Sequence, residues 1–273
     1  MTVQNRIELL FKKVRSANPL VHHITNSVTI NDCANSTLAI GGSPVMASSV
    51  NEAADMAKIA NALVLNLGTL NADSCEAMIL AGKAANSAHI PVILDPVGAG
   101  ATPYRIEMAE KILHEVRMSI IRGNASEIYS LIGGKSQTRG VDSGTVSLAG
   151  ADLAARAAVE LNSTIVVSGR TDAISNGETT VLVNNGDPIL TKVTGTGCMA
   201  TSLIGCFAGV TDQMLDAAVA GISVMSIAGE LTAKKLSEGE GTGTFRMKLI
   251  DTISLMNGAT WMKEVQLHEY ATR

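Results

Sequence analysis

The densest chemical signal in the sequence is Gly195-Thr196-Gly197-Cys198, which with Met199-Ala200 satisfies the pattern G-x-G-x-x-A. A dinucleotide site would need that pattern inside a βαβ unit, with an acidic residue closing a following strand. Helical sequence follows instead, so the Rossmann reading fails, but the local physics survives. A Gly/Thr-rich turn entering a helix over Cys198–Phe207 would offer backbone N–H groups at a positive helix end, which suits a phosphate or a transition-state anion. A tight turn that merely lets helix and sheet approach closely would use the same glycines. Cys198 favours the first reading, because the first turn of a helix favours a thiolate over a thiol. Cys33, Cys75 and Cys206 read as small buried hydrophobes, the common fate of free cysteines.

Other reactive groups close apolar runs. Asp95 ends PVIL and precedes the flexible turn PVGAG; it can start an Asp-Pro turn or serve Mg²⁺ and its waters. Arg122-Gly123-Asn124-Ala125-Ser126-Glu127 follows SII. Asn124 and Glu127 fit a capping box, which leaves Arg122 unexplained. Ser168-Gly169 follows TIVV, with Asp172 just after. Asn26, at a loop start, carries an amide that can donate and accept. His22 and His23 are weaker candidates, since adjacent strand residues point to opposite faces and cannot chelate one metal. Gly133-Gly134-Lys135-Ser136 looks like half a P-loop, but Tyr129 stands where the first glycine is required, and QTRGVDSG is a poor helix.

These residues need a scaffold, and the apolar pattern supplies one. Candidate strands are Leu20–Ile24, Pro44–Met46, Ala62–Asn66, Pro91–Leu94, Ser119–Ile121 and Thr164–Val167. Helical segments such as Ala53–Ile59, Asn71–Ala88 and Thr102–Val116 alternate with them, the last with Thr102 as N-cap and Pro103 at the first helical position. ALVLN and PVILD are apolar without alternation, the mark of a parallel sheet buried on both faces. AISNGETTVLVNNG reads as a hairpin or edge ribbon with turns at Asn176-Gly177 and Asn185-Gly186. After Gly197 the pattern is almost wholly helical to the end. With no linker or repeat, the expectation is one α/β domain over 1–273: a central, mostly parallel sheet flanked by helices. In such sheets ligands bind beyond the carboxyl ends of the strands, where the reactive groups above fall.

Composition narrows the function. The 273 residues carry 21 Lys+Arg against 25 Asp+Glu, a net charge of −4, which argues against a nucleic-acid binder. With 46% apolar residues the chain has ample surface to bury, so disorder is excluded. Charged residues make up only 17%, below the roughly 25% usual in soluble proteins. A surface so poor in charge points to cover by another subunit. No charge occurs between Lys192 and Asp212, but VTGTGCMATS is too rich in Gly and Thr for a spanning helix. The uncharged run Ala217–Gly229 is shorter than the roughly 20 residues a bilayer requires. Both read as buried helices. The N-terminus forms an amphipathic helix (Val3, Ile7, Leu10, Phe11, Val14) rather than a signal peptide. Four cysteines without a C-x-x-C or zinc spacing suit a reducing cytoplasm.

The blocks VHHITN, GGSPVMA, LNLGTL, PVILDPVGAGATPYR, RGNASEI and KVTGTGC, in that order and spacing, closely resemble the hydroxyethylthiazole kinases. The match runs from about Leu20 to the helix after Cys198, and more loosely to the end through GEGTGTF. The resemblance implies a ribokinase-like fold and transfer of the γ-phosphoryl group of ATP to 4-methyl-5-(2-hydroxyethyl)thiazole, a step in thiamine salvage. It implies that Thr194-Gly195-Thr196-Gly197 forms the anion hole, with Cys198 where most of the superfamily has an aspartate base. Cysteine there is typical of thiazole kinases. By the same resemblance Asn124 and Glu127 organise Mg²⁺ and its waters, and Asp95 is the second acidic group. Arg122 and Ser168 match nucleotide-contacting positions, while Met46, Gly195, Asn26 and Val28 match the thiazole pocket. Homotrimers with sites between subunits are expected. Two alternatives remain: another ribokinase-like enzyme (a hydroxymethylpyrimidine kinase or an NAD(P)H-hydrate dehydratase), against which Cys198 argues, and a non-catalytic nucleotide or vitamin sensor.

Overall fold

Five strands that carry apolar side chains on both faces can be satisfied only between two layers of helix. The computed structural model, which describes residues 2–134 and 146–270, shows how. In chain order the elements are α1 (Val3–Ala17), β1 (Leu20–Ile24), α2 (Ile30–Ile40), β2 (Ser43–Val45), α3 (Ala53–Ile59), β3 (Ala62–Asn66), α4 (Ala72–Ser87), β4 (Val92–Asp95), α5 (Pro103–Glu115), β5 (Ile120–Asn124), α6 (Ala125–Leu131), α7 (Val146–Leu161), β6 (Thr164–Ser168), β7 (Asp172–Ser175), β8 (Thr180–Val183), α8 (Thr196–Ala208), α9 (Met214–Ala233), α10 (Thr242–Leu255), α11 (Gly258–Glu264) and β9 (Leu267–Tyr270). One sheet runs in the order β2-β1-β3-β4-β5-β6-β7-β8-β9, parallel through β6 and antiparallel beyond it.

The strand alternation divides the core in two. Val64, Ile93, Ile120 and Val166 pack with α1, α2, α8, α9 and α10 on one face. Leu63, Leu65, Leu94, Ile121 and Ile165 pack with α3, α4, α5 and α7 on the other. On the first face α9 is long and apolar enough to cross a bilayer, yet every residue from Asp216 to Gly229 is buried in the protein. Gly221 lets α9 lie directly on α8: a Cβ there would stand 2.4 Å from the Ile204 nitrogen. Arg6 of α1 closes the start of α9 with an ion pair to Asp216 at 2.6 Å. Long, nearly uncharged helices are thus the inner layer of the fold.

Most expected elements form within a residue or two of the anticipated bounds. Thr102 caps α5 by accepting from the Arg105 N–H, with Pro103 at the first position. The 173–186 segment is a hairpin in which the Asn176 side chain accepts from the Glu178 and Thr179 N–H groups. Two expectations need correction. The C-terminal part is not wholly helical, because Leu267–Tyr270 pairs antiparallel with β8. That strand, not the hairpin, is therefore the sheet edge. It is short and only half-buried, so its apolar pattern was too weak to read. Lys135 and Ser136 of the P-loop-like segment lie outside the described residues.

Candidate active site

Parallel pairing brings polar strand ends into line. Asn66 of β3 is in register with Asp95 of β4, and Asn124 of β5 with Ser168 of β6. Each ends an apolar strand at the carboxyl edge of the sheet. The start of α8 faces them. Gly195 sits just before this helix at φ 88°, a left-handed conformation that favours glycine. The Met199 N–H closes the first helical turn on the Gly195 carbonyl at 2.8 Å. The N–H groups of Thr196, Gly197 and Cys198 are left at the open helix end, as a helix N-terminus requires.

Arg122 lies against this turn. A Cβ on Gly197 would stand 2.6 Å from its Nη1, so glycine is what admits the guanidinium. Arg122 Nη2 donates to Ser168 Oγ at 2.8 Å, and Nη1 lies 3.7 Å from Asp95 Oδ2. Its Nε is buried with no hydrogen-bond partner among the described residues. A fork held at one end and short of acceptors is prepared for an anion. Arg122, Ser168 and the Gly195–Gly197 turn thus converge, as the sequence suggested.

Cys198 is half-buried, while Cys33, Cys75 and Cys206 are buried; none of the four is in a disulfide. Asn26 Nδ2 and Asn66 Nδ2 each donate to Cys198 Sγ at 3.3 Å. Asn26 also donates to Asn66 Oδ1 at 2.9 Å, and Asn66 to Asp95 Oδ2 at 3.0 Å. Thr201, one turn beyond Cys198 on α8, donates to the same Asp95 oxygen at 2.8 Å. Asp95 is fully buried, and its other oxygen, Oδ1, has no partner among the described residues. Burial pushes its carboxyl up to about 6; Arg122 and the Thr201 and Asn66 hydrogen bonds oppose that rise, and Glu127 adds to it. Asp172, also buried, is held by the Gly169 N–H and Ser226, and burial likewise raises it to about 6.

Asn124 and Glu127 form the capping box of α6: Asn124 Oδ1 accepts from the Glu127 N–H at 2.9 Å, and Glu127 Oε2 from the Asn124 N–H at 2.8 Å. Glu127 Oε1 accepts from the Gly98 N–H at 2.8 Å, tying α6 to the turn after Asp95. Among the described residues no three His, Cys, Asp or Glu side chains group as a ready metal cage. Carboxylates so placed could serve Mg²⁺ only through its waters: Asp95 Oδ1 lacks a partner among the described residues but is buried, and each Glu127 oxygen already accepts one backbone N–H.

The remaining expected residues lie at the rim. Val28 is 65% exposed and Met46 is half-buried just past β2. Thr194 is exposed. His22 and His23 are both buried: His22 Nε2 meets the Ala47 carbonyl at 2.7 Å, and His23 Nε2 meets Ser202 Oγ at 3.1 Å. Burial lowers His23 to about 4 and also lowers His22. Three site residues escaped the sequence reading. Asn66 ends ALVLN as Asp95 ends PVIL, a signal that was present. Thr201 is one helical turn past Cys198, and Arg105 clamps two site loops by donating to the carbonyls of Leu67, Val97 and Gly68 at 2.6–2.7 Å. Nothing in the sequence marks Thr201, and Arg105 only closes the block PVILDPVGAGATPYR with no role assigned to it.

A model of the hydroxyethylthiazole kinase family matches residues 11–258. A hydroxyethylthiazole kinase of Alkaliphilus oremlandii (strain OhILAs) is 49% identical over 93% of this chain and 94% of its own length. A solved hydroxyethylthiazole kinase from Pyrococcus horikoshii OT3 superposes with a TM-score of 0.89 at 36% identity, covering 98% of this chain and 100% of that one. A ribokinase-like superfamily protein from Enterococcus faecalis V583, at 13% identity, 91% and 89% coverage and a TM-score of 0.60, shares the fold.

Proposed function

The chain belongs to the hydroxyethylthiazole kinase family, and from that premise we propose that it moves the γ-phosphoryl group of ATP onto the hydroxyl of 4-methyl-5-(2-hydroxyethyl)thiazole, a step in thiamine salvage. The observation that carries this reading is the packing of the Arg122 guanidinium on Gly197, beside the helix start and Cys198. Phosphoryl transfer has a loose transition state, so positioning and charge neutralisation dominate its catalysis. The N–H groups of Thr196, Gly197 and Cys198 receive the transferring phosphoryl oxygens, with Thr194 and Gly195 shaping the turn. Arg122 and Ser168 hold the phosphates of the nucleotide, with Asn124 on the next strand end. The alcohol oxygen bonds to phosphorus, the bond to the β-phosphate oxygen breaks, ADP leaves, and Cys198, acting as a thiolate, takes the alcohol proton.

Asp95 and Glu127 would hold Mg²⁺ through its waters, and that ion supplies charge neutralisation on the phosphates when bound. Val28 and Met46 offer apolar contact to an uncharged heterocycle, and Asn26 and Gly195 close the inner side of the pocket. The family resemblance supports a homotrimer with sites between subunits, and the exposure of Val28 and Leu38, at 65% and 58%, leaves apolar surface there that another subunit would cover. Free cysteines and the low charge support a cytoplasmic enzyme that takes small molecules rather than nucleic acid or membrane.

The test follows ADP release from Mg-ATP with thiazole alcohol, hydroxymethylpyrimidine, pyridoxal and ribose in turn. Turnover with the thiazole alcohol is expected; turnover confined to the pyrimidine or the sugar would overturn the assignment.

A further inference from the structure

Asn26 and Asn66 are fixed in orientation by groups that can only donate, or that donate here. Asn66 Oδ1 accepts from the Gly68 N–H at 2.9 Å, and Asn26 Oδ1 from the Thr29 N–H at 3.1 Å and the Thr29 hydroxyl at 3.0 Å. Backbone N–H groups have no acceptor role, so both amide nitrogens must face inward. Their four protons are then fully used: one from each goes to Cys198 Sγ, and the other two go to Asn66 Oδ1 and Asp95 Oδ2. Gly68 cannot give way to a larger residue behind them, because a Cβ there would lie 2.6 Å from Asn26 Cβ.

Among the described residues the sulfur therefore meets two donors and no acceptor on its buried side. We infer that Asn66, paired with Asn26, is a positioning residue that holds Cys198 Sγ as a hydrogen-bond acceptor and turns its remaining valence toward the half-exposed side, where the alcohol binds. This rests on the kinase reading above. Two N–H donors stabilise negative charge on an acceptor, so the pair readies the sulfur to take the alcohol proton. The second Asn66 proton, on Asp95, keeps the amide from rotating away. Asn26 thus acts on the sulfur as well as lining the substrate pocket.

Two readouts test this. In the first, Cys198 is alkylated with iodoacetamide at pH 7, and the modified peptide is quantified against the buried Cys33, Cys75 and Cys206. Losing one donor to an anionic acceptor costs roughly tenfold in the reactive form, and rising intrinsic nucleophilicity returns about half of that logarithm. Asn66→Leu, which keeps the branched shape but removes the donors, should slow alkylation about threefold, and Asn26→Ala should act in the same direction if Asn66→Leu fails to fold. Unchanged or faster alkylation in a folded variant would overturn the inference. In the second, Asn66→Leu should lower kcat about tenfold with Cys198 present but less than about twofold in a Cys198→Ala background. Equal losses in both backgrounds would mean that Asn66 acts elsewhere, and the inference falls. If the wild-type protein phosphorylates no alcohol, the kinase reading fails on its own, and alkylation still judges the asparagine pair.

Discussion

Gly197→Ala isolates the contact on which the proposed phosphate site depends. The added methyl would lie 2.6 Å from Arg122 Nη1 and 3.1 Å from Nη2, whereas ordinary contact begins at 3.4 Å, so the guanidinium must retreat by about 0.8 Å. The side chain is only 14% exposed and is pinned by its 2.8 Å bond to Ser168, so it has little room to retreat. That bond would stretch to about 3.6 Å, beyond hydrogen-bond range. Its loss costs about 1.5–3 kcal/mol for a charged donor. Alanine in a helix returns about 0.4–1 kcal/mol through the unfolded chain. The net loss of about 1–2 kcal/mol lowers the melting temperature by only a few degrees in a chain of this size. Catalysis is more sensitive, because a misplacement of about 1 Å can cost up to about 100-fold. The expected result is a 10- to 100-fold drop in kcat/KM for ATP in a protein that still melts cooperatively, measured by coupled ADP release. Arg122→Lys should show a similar deficit, and adding Gly197→Ala to it should change little. Activity within threefold of the wild type in Gly197→Ala would refute the argument that Arg122 is held at the anion turn.

Three further outcomes follow from the same geometry. Asp172 is raised to about 6 by burial, from an ordinary value of 3.8. Between those values the folded state binds the extra proton, so its ionisation weakens the fold increasingly as pH rises through 6. Asp172→Asn should therefore stabilise the protein by about 1–2 kcal/mol at pH 8, with the gain fading by pH 4; melting curves at both pH values that show a constant difference would contradict this. Glu127→Gln keeps the shape of the capping box but removes a charge, so its loss of activity should be severalfold at limiting Mg²⁺ and shrink when the ion is in excess. Analytical ultracentrifugation should find a trimer, and a stable, active monomer would leave the exposed Val28 and Leu38 without a partner.

The fold was legible wherever both faces of a strand were buried. ALVLN and PVILD declared a parallel sheet because four apolar residues in a row, closed by one polar residue, leave neither strand face for water. The shared edge position of Asn66 and Asp95 then followed from pairing alone. The ninth strand was not legible, because Leu267–Tyr270 lies half-exposed at an edge and owes its conformation to β8, a partner more than 80 residues earlier in the chain. Local sequence does not encode such a dependence. Similarly, Ala217–Gly229 could be read as buried but not as the layer on which α8 rests, since that contact is set by Gly221 meeting the Ile204 backbone.

The site divides along the same line. Groups that end apolar runs, such as Asp95, Arg122 and Ser168, announce themselves because burial of a polar side chain needs a reason. Glu127 had two reasons in the sequence, and the structure satisfies the structural one fully, with both carboxylate oxygens taking backbone N–H groups. That does not remove it from the chemistry. A carboxylate oxygen has two acceptor positions, and the two hydrogen bonds fix its free lone pairs beside the turn that follows Asp95. At the proposed phosphate site, the capping box thus sets the position of a charge that a mobile glutamate could not hold. What the sequence could not supply was the partnership of Asn26, Asn66 and Cys198. The three come from positions 26, 66 and 198, and only the closure of β1, β3 and α8 on one edge places two amides against one sulfur. The hydrogen-bonded setting of Cys198 is therefore a property of the tertiary fold, whereas the glycine turn beside it is largely a property of local sequence.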